Sequence, residues 1–173
     1  MYALPGQTEA AALLDIDRAL ALCPEHLSHY QLTLEPETVF ARFPPKDLPD
    51  DDTAWAMQEA CQAKLASAGF IQYEVSAYAK PDRRCQHNQV YWQFGDYLGI
   101  GAGAHGKITD LNTATITRLE KQKIPRLYQD TAGHSDGVQL RELQPKDLPF
   151  EFMLNALRLQ DGFPKPTLLR SPA

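Results

Sequence analysis

Between Cys85 and Gly106 the chain gathers most of the side chains from which a ligand site could be built. His87, Asn88, Tyr91, Trp92, Tyr97 and His105 are threaded through Gly95, Gly99, Gly101, Gly103 and Gly106. A helix through His87–Trp92 sets His87 over Tyr91 and Asn88 over Trp92, because residues four apart are neighbours on a helix surface. An imidazole beside flat rings is what a planar ligand or a haem iron needs, with the nitrogen as axial ligand and the rings as walls. A structural histidine satisfied by a backbone partner uses the same residue type and is the plainer alternative.

Gly101, Gly103 and Gly106 formally match Gly-x-Gly-x-x-Gly. That dinucleotide motif works only where a helix opens at the glycines and turns its N-terminus to a pyrophosphate. Here Lys107-Ile108-Thr109 and Ala114-Thr115-Ile116-Thr117 read as strands around a turn at Asn112, so the match is rejected. Gly99, Gly101 and Gly103 alternating with small apolar residues better describe an extended segment that a ligand or another backbone approaches closely, ending at His105. Lys80, Arg83, Arg84 and Lys107 flank this region and either receive carboxylates or form a solvated surface. His26, His29 and His134 show no ligand spacing.

Cys23, Cys61 and Cys85 are odd in number and make neither a disulfide framework nor a Cys-x-x-Cys metal pair. Cys23 and Cys61 fall on apolar helix stripes and are expected to be core thiols. Cys85 lies in a polar loop beside Arg83 and Arg84, where a thiol is either partly ionised or merely exposed. The 173 residues carry 17 Lys and Arg against 22 Asp and Glu, a net charge of −5. No overall basic field exists to hold a nucleic acid or an anionic membrane. No apolar run approaches the ~20 residues of a membrane span. The reading is a soluble, cytoplasmic protein.

The elements around the site read as α/β. Met1–Leu4 is a strand end, followed by an amphipathic helix over about residues 9–22 with Leu13, Ile16, Leu20 and Cys23 in register. Leu27–Leu34 reads as a strand. Asp50-Asp51-Asp52 then caps a helix bearing Met57, Cys61, Leu65 and Ala68, which Gly69 ends. Phe70–Tyr78 reads as a further strand, and the order strand, helix, strand, helix, strand implies parallel βαβ units. A strand so short at Met1 points to a chain that begins inside a fold. Pro145–Leu159 is expected to be helical.

Several phrases are recognisable: Tyr-Ala-Leu-Pro-Gly-Gln-Thr at 2–8, Leu-Ser-His-Tyr-Gln-Leu-Thr-Leu-Glu-Pro at 27–36, and Gln-Tyr-Glu-Val-Ser at 72–76. With them go His-Asn-x-x-Tyr-Trp at 87–92, Gly-Asp-Tyr-Leu-Gly-Ile-Gly-Ala-Gly-Ala-His-Gly at 95–106, and Glu-Phe-Met-Leu at 151–154 followed by Arg158-Leu159 and Gly162-Phe163. In this order they resemble the oxygen-independent coproporphyrinogen III oxidase-like radical S-adenosylmethionine (SAM) family, and within it the haem chaperone branch. The resemblance implies the second half of a partial (β/α)6 radical SAM barrel with a small appended β/α region. Residues 1–106 would be the barrel half, 107–144 a β-hairpin and connection, and 145–173 the start of a helical C-terminal domain.

The resemblance also implies SAM and a [4Fe-4S] cluster in the full-length protein. The cluster's Cys-x-x-x-Cys-x-x-Cys loop is absent from this chain, which is therefore expected not to cleave SAM alone and to supply no iron-sulfur ligand. Thr33 and His105 take the positions that touch SAM. His87 becomes the candidate ligand of a haem iron, with Asn88, Tyr91 and Trp92 in its pocket. The implied function is that of a chaperone delivering haem to respiratory acceptor proteins. The alternative is oxidative decarboxylation of coproporphyrinogen III to protoporphyrinogen IX. Haem or a porphyrinogen and a haem-acceptor protein are the implied partners, with peripheral membrane association left open.

Overall fold

The computed structural model describes residues 1–164. It divides into two compact units that meet in sequence between Cys85 and Gln86.

In the first unit, α1 (Glu9–Ala21) starts where the Thr8 hydroxyl accepts the Ala11 N–H at 3.2 Å. It ends at Leu22, and Cys23 turns into the left-handed region ahead of Pro24. That turn carries Cys23 off the apolar stripe, so it is exposed, whereas Cys61 is buried as expected. A single helical turn, α2 (Val39–Arg42), follows. The acidic run acts as a cap: Asp50 accepts the Thr53 N–H at 2.8 Å, and Asp51 and Asp52 open α3 (Asp51–Ser67). Ala54, Met57, Cys61 and Leu65 bury one face of α3 against Ala12 and Ile16 of α1. Lys64 reaches Asp17 at 2.6 Å across the same pair of helices.

The strands of this unit depart from the sequence reading. A three-stranded sheet of β1 (His26–Ser28), β2 (Ile71–Glu74) and β3 (Ala77–Ala79) runs in the order β1-β3-β2 with every pairing antiparallel. The only parallel element among the described residues of this unit is an isolated bridge between Tyr2 and Gln31. Phe70–Tyr78 is thus a hairpin rather than one strand. The buried Glu74 carboxylate accepts the Ser76 N–H at 3.1 Å and so folds Val75 and Ser76 into a turn. The register also shifts between Gln72 and Glu74. Hydrophobic content alone could not reveal that reversal.

The second unit opens with α4 (Gln86–Trp92), as the spacing of its side chains predicts. Strands β4 (His105–Asp110), β5 (Thr115–Lys121) and β6 (Val138–Glu142) form an antiparallel meander. A short helix, α5 (Pro125–Asp130), lies in the connection between β5 and β6. The β4–β5 turn is closed by Asp110 accepting the Asn112 N–H at 2.8 Å. Gly106 lies within β4 and no helix opens at the glycines, in keeping with the rejected dinucleotide motif. Helix α6 (Leu148–Ala156) falls within the stretch expected to be helical. It places Phe152 against Phe94, which itself packs on Ile116, Leu143 and Leu148.

Candidate functional site

The glycine-rich segment folds back on itself. Tyr97 forms an antiparallel bridge with Lys107, and the face that Gly99 leaves bare lies against the carbonyl of His105, with which any Cβ there would collide. The expected close approach is therefore made by another backbone. Gly101 and Gly103 both have positive φ, 108° and 70°, and turn the chain between these two arms. The Gly101 N–H donates to the Tyr128 hydroxyl at 3.2 Å.

Helix α4 brings His87, Asn88, Tyr91 and Trp92 together on one turn and a half. His87 is exposed, and Tyr91 meets its ring edge-on at 4.7 Å between centroids and 88° between planes. Tyr91 contacts Trp92 at 6.2 Å and Tyr97 at 4.3 Å. Neither ring nitrogen of His87 makes a hydrogen bond among the described residues, unlike His26, whose Nε2 lies 2.8 Å from the Tyr73 hydroxyl. The Trp92 Nε1 is buried with no hydrogen-bond partner among the described residues, and the Arg158 guanidinium stacks 4.3 Å from the Trp92 ring centroid.

His105 is the exposed first residue of β4, opposite Glu120. Thr33 belongs to the other unit, exposed two residues past the Tyr2–Gln31 bridge, with its hydroxyl 3.5 Å from the Gln31 carbonyl. Among the described residues no three His, Cys, Asp or Glu side chains gather as a metal-ligand set.

The sequence reading missed a row of charges beside this site. Lys107 on β4, Arg118 on β5 and Arg141 on β6 stand opposite one another in register. Like charges directly opposed on a sheet repel, and two carboxylates interleave them. Asp96 takes Lys107 Nζ at 2.5 Å, the Thr109 N–H at 2.8 Å and the Thr109 hydroxyl at 2.8 Å. Glu151 of α6 takes Arg118 at 2.7 Å and Arg141 at 2.7 Å. The Phe94 ring underlies two of the cations, at 4.5 Å from Lys107 Nζ and 5.8 Å from the Arg118 guanidinium.

Burial works to raise both carboxyl pKa values. The hydrogen bonds and positive charges outweigh it, so Asp96 and Glu151 both lie below the ordinary carboxylate range. Arg118 also donates to the Tyr97 hydroxyl at 3.1 Å, joining this row to the aromatic site. The available sequence signal was parity: Arg118 shares a strand face with the buried Ile116 two residues away.

No protein-family model matches the chain. Among curated proteins it is 50% identical over 168 residues to "Heme chaperone HemW" of Haemophilus influenzae and 47% identical over 168 residues to that of Escherichia coli K12. Each match covers 95% of this chain and 42% of the relative, so the chain spans about two fifths of the length of these relatives. A mouse protein named "Radical S-adenosyl methionine domain-containing protein 1, mitochondrial" is 44% identical over 148 residues, covering 84% of this chain and 29% of its own length. Among solved structures, the radical SAM enzyme coproporphyrinogen III oxidase (HemN) of Escherichia coli superposes with a TM-score of 0.68 at 21% identity, over 91% of this chain and 39% of that one. That likeness concerns the fold alone. Over the stretch that it spans, the chain is similar in sequence to the HemW haem chaperones, and its fold resembles that of the radical SAM enzyme HemN.

Proposed function

We propose that the protein is part of a haem-binding chaperone that passes haem to an acceptor protein, with His87 as ligand to the iron. The observation that carries this reading is the exposed His87 imidazole, its plane set by Tyr91 and its nitrogens engaged by no hydrogen bond among the described residues. Such a ring is ready to act as an axial ligand. Asn88, Tyr91 and Trp92 form the pocket beside it, with Tyr91 and Trp92 as its flat walls. The names of the relatives point the same way.

The same reading makes the first unit part of the second half of a partial (β/α)6 barrel. The parallel Tyr2–Gln31 bridge, with α1 between its two chains, supports that assignment. It also retains residues 1–106 as barrel-derived, 107–144 as a hairpin region and 145–173 as the start of a C-terminal domain. In the full-length protein, SAM on a [4Fe-4S] cluster supplies radical generation when bound.

The test is a haem titration followed at the Soret band, comparing the wild-type protein with His87→Ala. Removing the axial ligand is expected to shift the Soret maximum and to weaken binding at least about 10-fold. An unchanged spectrum and affinity would overturn the role of His87. Formation of protoporphyrinogen by the full-length protein, anaerobically with SAM and coproporphyrinogen III, would replace the chaperone reading by the decarboxylase one.

A further inference from the structure

Three phrases meet in the second unit: His-Asn-x-x-Tyr-Trp on α4, the Gly-Asp-Tyr that follows it before the glycine turn, and, more than fifty residues on, Glu-Phe-Met-Leu in α6. The contacts between them form one continuous chain. Glu151 Oε2 holds Arg118 through Nε at 3.1 Å and Nη2 at 2.7 Å, a two-pronged grip that fixes the guanidinium plane. The remaining arm of Arg118, Nη1, donates to the Tyr97 hydroxyl at 3.1 Å. Tyr97 then meets Tyr91 at 4.3 Å and 69°, and Tyr91 meets His87 at 4.7 Å and 88°. Both ring contacts are edge-to-face, the arrangement that aromatic quadrupoles favour, so each ring limits the rotation of the next.

A histidine one residue inside a seven-residue helix has little else to hold it. Its ring samples several rotamers unless something outside the helix selects one. Here the selection comes through Tyr91 from a tyrosine whose far end is tied to a fixed arginine. Arg118 and Glu151 are largely shielded, with side chains 21% and 14% exposed, so the anchor is screened from water far better than an ordinary surface pair.

We propose that Tyr97 is a positioning residue for the haem site: pinned by Arg118 and Glu151, it fixes Tyr91 and through it the orientation of the His87 imidazole. This rests on the reading of His87 as haem ligand. Its own content is that ligand geometry is set by a phenol that does not touch the iron. Groups outside the ligand set that orient a metal-bound histidine are worth about 10- to 100-fold in affinity when removed.

The test uses ferric haem, following Soret absorbance for affinity and low-temperature electron paramagnetic resonance for the ligand field. Tyr97→Leu removes the ring edge against Tyr91. It is expected to weaken haem binding about 10-fold or more and to split the single ferric signal into several. Tyr97→Phe keeps the ring contact but loses the tie to Arg118, and is expected to give a loss intermediate between wild type and Tyr97→Leu, as is Arg118→Gln. A folded Tyr97→Leu protein, with the wild-type circular dichroism and melting curve, that binds haem with wild-type affinity and spectrum overturns the proposal. Should that variant fail to fold, Arg118→Gln frees the phenol while leaving every ring in place, and an unchanged ferric signal there overturns it equally. His87→Ala, measured in parallel, separates the two ideas. If it leaves binding untouched, the haem-ligand reading falls and takes this one with it. If only the Tyr97 and Arg118 variants behave as wild type, the positioning role alone is lost.

Discussion

Replacing Asp96 by asparagine tests the physics of the charge row directly. Lys107 is 2% exposed and its ammonium sits on Asp96 at 2.5 Å, while the Asp96 side chain is 40% exposed. An asparagine keeps the shape but offers an N–H₂ group in place of one oxygen, so either Lys107 or the Thr109 N–H meets a donor instead of an acceptor. Breaking a fully buried pair costs about 3–5 kcal/mol. Because water already reaches Asp96 and screens part of the attraction, we expect about 2–3 kcal/mol here. Urea unfolding at pH 7, followed by circular dichroism, reads this as a lower midpoint at unchanged slope. Asp96→Asn with Lys107→Met is expected to recover at least half of the loss, since the buried charge goes with its partner.

The pH dependence follows from the sign of the shift. The folded carboxyl titrates below its unfolded value, so its contribution is complete above about pH 4 and disappears as pH falls through the lower folded value. The gap between wild type and Asp96→Asn is therefore constant from pH 7 to about 5 and closes in stronger acid. A gap under about 0.5 kcal/mol at pH 7, or one that persists undiminished in strong acid, would refute the assignment of the ion pair as the source of stability.

Two further outcomes are expected. His29 is 7% exposed and stacks on Tyr2 at 4.9 Å, and its Nε2 lacks a hydrogen-bond partner among the described residues. Burial, aided by the N-terminal amine and opposed by Asp15, lowers its pKa to about 4. Its stabilisation of the neutral fold is then full above about pH 6.5 and lost toward pH 4, roughly 3 kcal/mol in all. His29→Phe should flatten the stability profile across that window, and an imidazole resonance titrating near its ordinary value in the folded protein sinks the idea. Gly99→Ala must push the arm at residues 97–99 off the His105 carbonyl, costing about 1–3 kcal/mol. Amide hydrogen exchange at Tyr97 and Lys107 is the readout, and wild-type rates there would show that the bare face is not needed.

Helices were legible because their signals are local. The Thr8 and Asp50 caps, the period of Met57, Cys61 and Leu65, and the stop at Gly69 all lie within a few residues of what they determine. The neighbouring of His87 and Tyr91 on α4 was legible for the same reason, since residues four apart on a helix need no tertiary information to meet. Strand pairing is different in kind. Whether Tyr78 faces Leu27 in a parallel or antiparallel sense is decided by a turn at Val75 and Ser76 that carries neither Gly nor Pro and depends on a buried glutamate side chain. Cys23 was misjudged because one left-handed residue moves a side chain from core to solvent without altering the hydrophobic pattern. The charge row escaped notice because Lys107, Arg118 and Arg141 become neighbours only after the strand registers are known.

The shielding of Lys107 has a practical side. Its amine lies under Phe94 and against Asp96, whereas Lys123 stands largely in solvent beside Glu120. An amine-acylating reagent therefore modifies Lys123 at once and reaches Lys107 only when the β4–β5 hairpin opens. The ratio of the two acylation rates, read by mass spectrometry, is a clock for that opening that requires no engineered probe. A bound ligand that stabilises the closed arm slows it by the same factor by which it suppresses the open state.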